Sequence, residues 1–113
     1  MRREVKKYLL DLRQAIALIQ SFTAGKDFSS YESDLLLRAA VERELITIGE
    51  AAVQLARLDP GVAEQIREIR RIISFRNRLV HLYDDLDFEI VWDVLTKDVP
   101  NLQEDVDRLL ESD

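Results

Sequence analysis

Apolar side chains recur along this chain at steps of three and four, and this period constrains its fold more than any other feature. Val5, Tyr8, Leu9, Leu12, Ile16, Ile19 and Phe22 follow it first. One face of an amphipathic helix over 2–23 accounts for them. Ala24, Gly25, Lys26 and Asp27 end that helix. Ser29 and Glu32 have capping-box spacing, which predicts a second helix from near Ser30 to about Leu58. Its apolar residues form two stripes. Leu37, Val41, Ile48, Ala52 and Leu55 make one; Leu35, Ile46 and Val53 make the other. A helix apolar on two sides is central in a bundle or shared with a second protomer. Asp59-Pro60 reads as a cap with proline in the first helical position, opening a short helix. A longer one is expected from Glu68 to Leu82. Asp84 to Asp87 read as a turn, with Asp87 capping a last helical stretch from Phe88 to Leu110. Pro100 must start a new helix there or kink the existing one.

With three glycines and two prolines in 113 residues, there is little material for the turns of a strand-rich fold. No strand pattern, internal repeat or linker is visible. The expectation is a single all-α domain over 1–113, an antiparallel bundle of four to five helices. Cysteine is absent, which excludes disulfides, thiol catalysis and cysteine-held metals. No apolar run approaches the ~18 residues of a membrane span, and charges break up the first residues too often for a secretory signal. A cytoplasmic protein is expected.

The net charge is −6, but it is unevenly placed. Residues 1–13 carry net +3, 14–63 net −3, 64–83 net +3 and 84–113 net −9. A basic segment thus directly precedes a strongly acidic one. It is either an ordinary solvated helix face or an anion site on an otherwise acidic body.

On a helical wheel at 100° per residue, with Arg76 at zero, Ile66, Ile69, Ile72, Ile73, Leu79, Val80 and Tyr83 fall within about 80°. Asn77, Arg70, His81, Ser74, Arg67, Arg78 and Arg71 fall opposite, between about 100° and 220°. The polar stripe holds four arginines and the one histidine of the chain. Arg76 lies among apolar residues, where a guanidinium needs a carboxylate or a solvated cleft. Glu50 and Glu42 are candidate partners; a cleft between two subunits is the alternative.

These residue types suit phosphodiester chemistry. Arginine neutralises a phosphate and its transition-state charge through a forked donor set. Histidine, which as a residue type titrates near neutrality, moves a proton at a ribose 2′-hydroxyl or a leaving 5′-oxygen. That route needs no metal, and one histidine cannot build a histidine-rich metal site. Arg76 and His81 are five residues apart, about 140° around an ideal helix, so they do not share a face. A working pair needs a distorted helix end or the matching helix of a second protomer, which a symmetric dimer supplies.

Arg76-Asn77-Arg78-Leu79-Val80-His81-Leu82-Tyr83 reads Arg-Asn-x-x-x-His-x-Tyr, which resembles the signature of the HEPN superfamily in the form found in HepT toxins of the HepT/MntA type. Ile48-Gly49-Glu50-Ala51-Ala52 resembles a segment of that family's second helix. Val91-Trp92 through Asp98-Val99-Pro100-Asn101-Leu102 resembles its closing segment, and Asp87 fits the turn after the motif. The resemblance implies a HEPN-like all-α homodimer and a metal-independent endoribonuclease toxin without a cofactor. Arg76 and His81 would be catalytic at a dimer-interface cleft, with Asn77 in support. Arg67, Arg70, Arg71 and Arg78 would follow the RNA phosphates. The implied partner is an MntA-like minimal nucleotidyltransferase antitoxin that transfers AMP to the motif tyrosine, here Tyr83, placing bulk and negative charge beside the RNA-holding arginine. Two other readings stand beside this one: a non-catalytic module that binds or regulates a nucleotidyltransferase, and a purely structural helical dimer.

Overall fold

The computed structural model describes residues 1–81 and 87–112. They form seven α-helices and one π-helical segment, with no strand among the described residues. In order these are α1 Arg3–Thr23, α2 Phe28–Ser33, α3 Leu35–Leu58, α4 Pro60–Ala63, α5 Ile69–His81, α6 Phe88–Asp93, the π segment Val94–Asp98 and α7 Val99–Glu111.

The first apolar stripe becomes the inner face of α1: Val5, Leu9, Leu12, Ile16 and Ile19 are all buried. That face packs along α3, whose Val41, Leu45, Ile48, Ala52 and Leu55 are buried from the other side. The two run antiparallel, since the Arg2 guanidinium at the start of α1 donates to the Leu58 carbonyl at the end of α3. Helix α5 lies on the other flank of α3, and α7 packs back on α1, where Gln20 and Gln103 are joined at 2.7 Å. Central α3 therefore needs two apolar sides. The second expected stripe is only partly inside: Ile46 and Val53 are half-buried, whereas Leu35 is 72% exposed.

An aspartate side chain caps each of α2, α3, α4 and α6. Asp27, Asp34, Asp59 and Asp87 accept from the backbone N–H of Ser30, Leu37, Val62 and Glu89. Each satisfies an N–H that has no partner inside its helix. The caps at Asp59 and Asp87 match the sequence reading. The second helix does not: Asp27, rather than Ser29, starts a short α2, and Asp34 in extended backbone starts α3 afresh. The break swings Tyr31 into the interior, its ring centroid 5.4 Å from that of Trp92. Pro100 sits in the first turn of α7, directly after the π segment. Without an N–H it cannot bond the Thr96 carbonyl, and its ring crowds that carbonyl; the wider π turn before it makes room. The same turn carries Asp98 into the interior, where it is 4% exposed.

Candidate active site

Gly49 fixes how closely α5 crosses α3. A Cβ at this position would lie 2.1 Å from Arg76 Cβ and 2.4 Å from its Cγ. Only a residue without a side chain lets the two helices meet there. The block Ile48-Gly49-Glu50 and the motif arginine are thus one packing unit. Arg76 emerges half-buried, with its Nη1 donating to Asn77 Oδ1 at 2.9 Å and its Nη2 3.8 Å from Glu50 Oε1. Its Nε is buried with no partner among the described residues. Of the two carboxylates offered as partners, Glu50 is the one Arg76 meets; Glu42 lies by Arg38 and Tyr31, and burial raises its pKa against the pull of Arg38.

Arg76 opens on a cleft of about 400 Å³ between α1, α3 and α5, shared with Lys7, Tyr8, Asp11, Glu50 and Gln54. The α1 contribution was not legible in the sequence. Only the Lys7–Asp11 pair, four residues apart and 2.9 Å across, has a local signal, and that spacing is common on solvated helices.

Helix α5 runs regularly through His81, which is its exposed last residue. A distorted helix end therefore does not bring His81 round to Arg76, and one chain holds them on different sides of the helix. The wheel also needs correcting. Ile66, Ile72 and Leu79 are buried and Ile69 and Ile73 pack against the core, as the wheel has them, so Arg76 does stand among apolar residues. The face is wider than the wheel drew it: Phe75, outside the apolar set, is also buried, whereas Val80 is 38% exposed. The cause is the second layer: α5 is covered by the π segment and α7 on the Phe75 side as well as by α3, and a small apolar gap lies between them beside Ile72, Phe75, Val94 and Leu102.

The four arginines of the polar stripe divide in two. Arg67 is held by Asp105, whose carboxylate accepts from its backbone N–H at 3.0 Å and from its Nε at 3.2 Å, and by Glu104 at 2.7 Å. Arg108 also donates to Asp105, at 2.9 Å, and reaches the Gln65 carbonyl. Burial pushes the Asp105 pKa up, but these donors outweigh it and hold the carboxyl below its ordinary range. Arg71 Nε lies 3.1 Å from Asp98 Oδ2. Here burial wins over the arginine, and the Asp98 pKa is raised. Arg67 and Arg71 thus fasten α5 and the turn before it to α7 and the π segment. Arg70 and Arg78 are exposed and have no ion pair among the described residues. Arg78 lies beside Ser74 and Ile90 in a groove of about 170 Å³. Tyr83 lies outside the described residues.

No three His, Cys, Asp or Glu side chains converge on a possible metal position among the described residues. No described helix is long and apolar enough to cross a membrane.

Comparison with known proteins matches the same segments. The family model described as "Ribonuclease HepT-like" matches residues 12–109. Over 113 aligned residues the chain is 34% identical to "Probable ribonuclease HepT" of Thermococcus cleftensis, covering 96% of this chain and 98% of that one. It is 27% identical over 108 residues to "Putative RNase MJ1380" of Methanocaldococcus jannaschii, covering 94% and 96% of the two. A third relative from that organism, "Gamma-glutamylcyclotransferase and putative RNase MJ0434", is 30% identical over 98% of this chain but only 50% of its own length. No solved structure matches. From the crossing of Gly49 and Arg76 to the match over nearly its whole length, the chain belongs to the HepT-like ribonuclease family of the HEPN superfamily.

Proposed function

We propose that this protein is a metal-independent endoribonuclease toxin whose site forms between two copies of the chain. The observation that carries this reading is Arg76: a half-buried guanidinium, steadied by Asn77 and open to a cleft, on a helix whose far side presents an exposed His81. Arg76 binds the scissile phosphate and stabilises its developing charge. His81 of the second protomer moves the proton, as base at the 2′-hydroxyl or as acid at the leaving 5′-oxygen. The 2′-oxygen attacks phosphorus in line, the bond to the 5′-oxygen breaks, and the products carry a cyclic phosphate and a 5′-hydroxyl. Separation of Arg76 and His81 in one chain supports the homodimer. So do the partly exposed Val80, Phe88 and Ile90, apolar residues flanking the end of α5 in sequence. Arg70 and Arg78 are the arginines of the stripe best placed to follow RNA phosphates, because Arg67 and Arg71 are engaged within the fold.

Regulation follows from the family motif. A minimal nucleotidyltransferase antitoxin of the MntA kind transfers AMP from ATP to the Tyr83 hydroxyl and releases pyrophosphate, leaving a negative adenylate two residues from His81. Co-expression with that partner is expected to add one AMP to the intact mass, and Tyr83→Phe to abolish the increment; an increment that survives removes Tyr83 from the role.

The ribonuclease is tested by RNA cleavage in excess EDTA with wild type, Arg76→Ala and His81→Ala, each made without the partner. Cleavage by wild type alone supports the reading. Equal cleavage by all three identifies a contaminant. No cleavage by unmodified dimeric wild type favours a non-catalytic module that binds or regulates the nucleotidyltransferase, a reading to which the separation of Arg76 from His81 within one chain also lends weight.

A further inference from the structure

The cleft beside Arg76 holds more than the phosphate chemistry uses. On its α1 wall are Lys7 and Tyr8, with the Lys7 ammonium 4.5 Å above the Tyr8 ring. On its α3 wall is Gln54, half-buried, whose amide has no hydrogen-bond partner among the described residues. An amide presents two donors and an acceptor at one edge, and left idle on a cleft wall it is suited to reading a polar ring. The volume, about 400 Å³, falls within the ~300–1,000 Å³ of clefts that hold small molecules.

The two cations of the cleft are loosely tied. Lys7 pairs with Asp11, both well exposed, and Arg76 meets Glu50 only at 3.8 Å, with the Glu50 side chain 59% exposed. The exposed Lys7–Asp11 pair contributes little and opens readily, and at 3.8 Å the Glu50 carboxylate is beyond hydrogen-bond reach of the half-buried Arg76. When Lys7 turns from Asp11 toward a phosphate, it uncovers the ring of Tyr8, which is seated on the core and cannot follow. An aromatic face then stands beside a cation pair and an idle amide, the set of groups that single-stranded nucleic acid uses: charge for the backbone, a ring for stacking and an edge for recognition.

From this we infer that the α1–α3–α5 cleft seats the nucleotide next to the scissile phosphate. Its base stacks on Tyr8 and is read by Gln54, and Lys7 joins Arg76 on the backbone. The inference deepens the ribonuclease reading and rests on it for the position of the phosphate. It makes Tyr8 a base-stacking residue and Gln54 a specificity-determining one, outside the motif and on helices that the motif does not contain.

The test is fluorescence anisotropy with labelled 2′-O-methyl tetranucleotides of A, C, G and U, which lack the attacking hydroxyl and stay intact. Wild type, Tyr8→Leu, Gln54→Ala and Gln14→Ala, on the outer face of α1, are compared after circular dichroism shows equal helicity. Tyr8→Leu is expected to weaken all four probes about 5–150-fold, the span of one lost stacking contact. Gln54→Ala is expected to change the order of preference among them, and Gln14→Ala to match wild type. The inference is overturned when Tyr8→Leu and Gln54→Ala both bind within about twofold of wild type in the same order, or when wild type binds no probe. Unmodified RNA is assayed in parallel. Binding that depends on Tyr8 and Gln54 without cleavage would retain the nucleotide seat and remove the ribonuclease reading.

Discussion

Gly49→Ala adds one methyl group at the crossing on which the site depends. That carbon would sit 2.1 Å from Arg76 Cβ and 2.4 Å from its Cγ. Carbon atoms in contact are about 3.5–4.0 Å apart, so the helices must separate locally by roughly 1.4 Å or more. Neither atom of the closest pair can rotate away, because both are Cβ atoms fixed to their backbones. Overpacking of this kind costs about 1–3 kcal/mol, and rigidity places this case toward the upper end. Against it stands a gain of about 0.8–1 kcal/mol from replacing glycine by alanine inside a helix. The expected net loss is about 1–2 kcal/mol, or a melting temperature lower by about 4–8 °C for a chain of this size. Thermal and urea unfolding followed by circular dichroism measure it. Rescue by a second change sharpens the test. Arg76→Ala keeps its Cβ and cannot relieve that contact, whereas Arg76→Gly can, so the advantage of about 1 kcal/mol that alanine holds over glycine at position 76 in wild type should shrink or reverse in the Gly49→Ala background. A Gly49→Ala protein as stable as wild type, or more stable, would refute the close crossing and the reason given for glycine in that block.

The two buried aspartates should respond oppositely to neutralisation. Asp105, held below its ordinary value of 3.8 by its donors, stabilises the fold above that value and loses its contribution as pH falls through its lower folded value. Asp105→Asn should therefore cost about 1–3 kcal/mol at pH 7, with the difference from wild type shrinking in acid, as melting curves against pH would show. Asp98 is raised by burial, so its charged form opposes folding at neutral pH, and Asp98→Asn should not lower the melting temperature there. Arg78→Ala should leave stability unchanged and reduce the salt dependence of RNA affinity by about 0.7 in log–log slope, one phosphate contact on a single strand. Arg67→Ala should lower the melting temperature instead, because it removes the side-chain bonds to Asp105 and Glu104 and leaves residue 67 only its backbone N–H to hold the turn before α5 on Asp105.

What could be read from the sequence was what one helix shows of itself. The α1 stripe and the first α3 stripe were legible because burial and helical period coincide there. The caps at Asp59 and Asp87 were legible because each stands at a marked boundary, Asp59 directly before Pro60 and Asp87 at the end of the acidic run from Asp84. The break at Asp34 was not, since an aspartate within a helical pattern looks like any solvated residue, and the Tyr31–Trp92 contact that accompanies the break joins residues distant in sequence. The wheel left Phe75 out of the apolar face and put Val80 on it, because it takes account of one neighbour, and Phe75 is buried beside the π segment as well. The acidic segment after the motif had no sequence account. Part of it is now explained: Asp98, Glu104 and Asp105 pair with Arg71 and Arg67 across 27 to 38 residues, a separation that no local pattern shows, whereas the Asp105–Arg108 pair is local. At the candidate site, the Arg76–Glu50 contact was one of the two the sequence offered, and the α1 wall of the cleft was missed because it touches the motif only through the fold.

The central claim is that Arg76 of one chain works with His81 of another. It is tested most directly by mixing two inactive proteins. Arg76→Ala and His81→Ala subunits are co-refolded in equal amounts and assayed for RNA cleavage against each parent alone. In a symmetric two-site dimer, each mixed dimer has one site with both defects and one with neither, and half of the dimers are mixed. The account predicts recovery of about a quarter of wild-type specific activity from parents that have none. Mixed dimers as inactive as their parents, with exchange confirmed by mass, would contradict it and place the chemistry within a single chain.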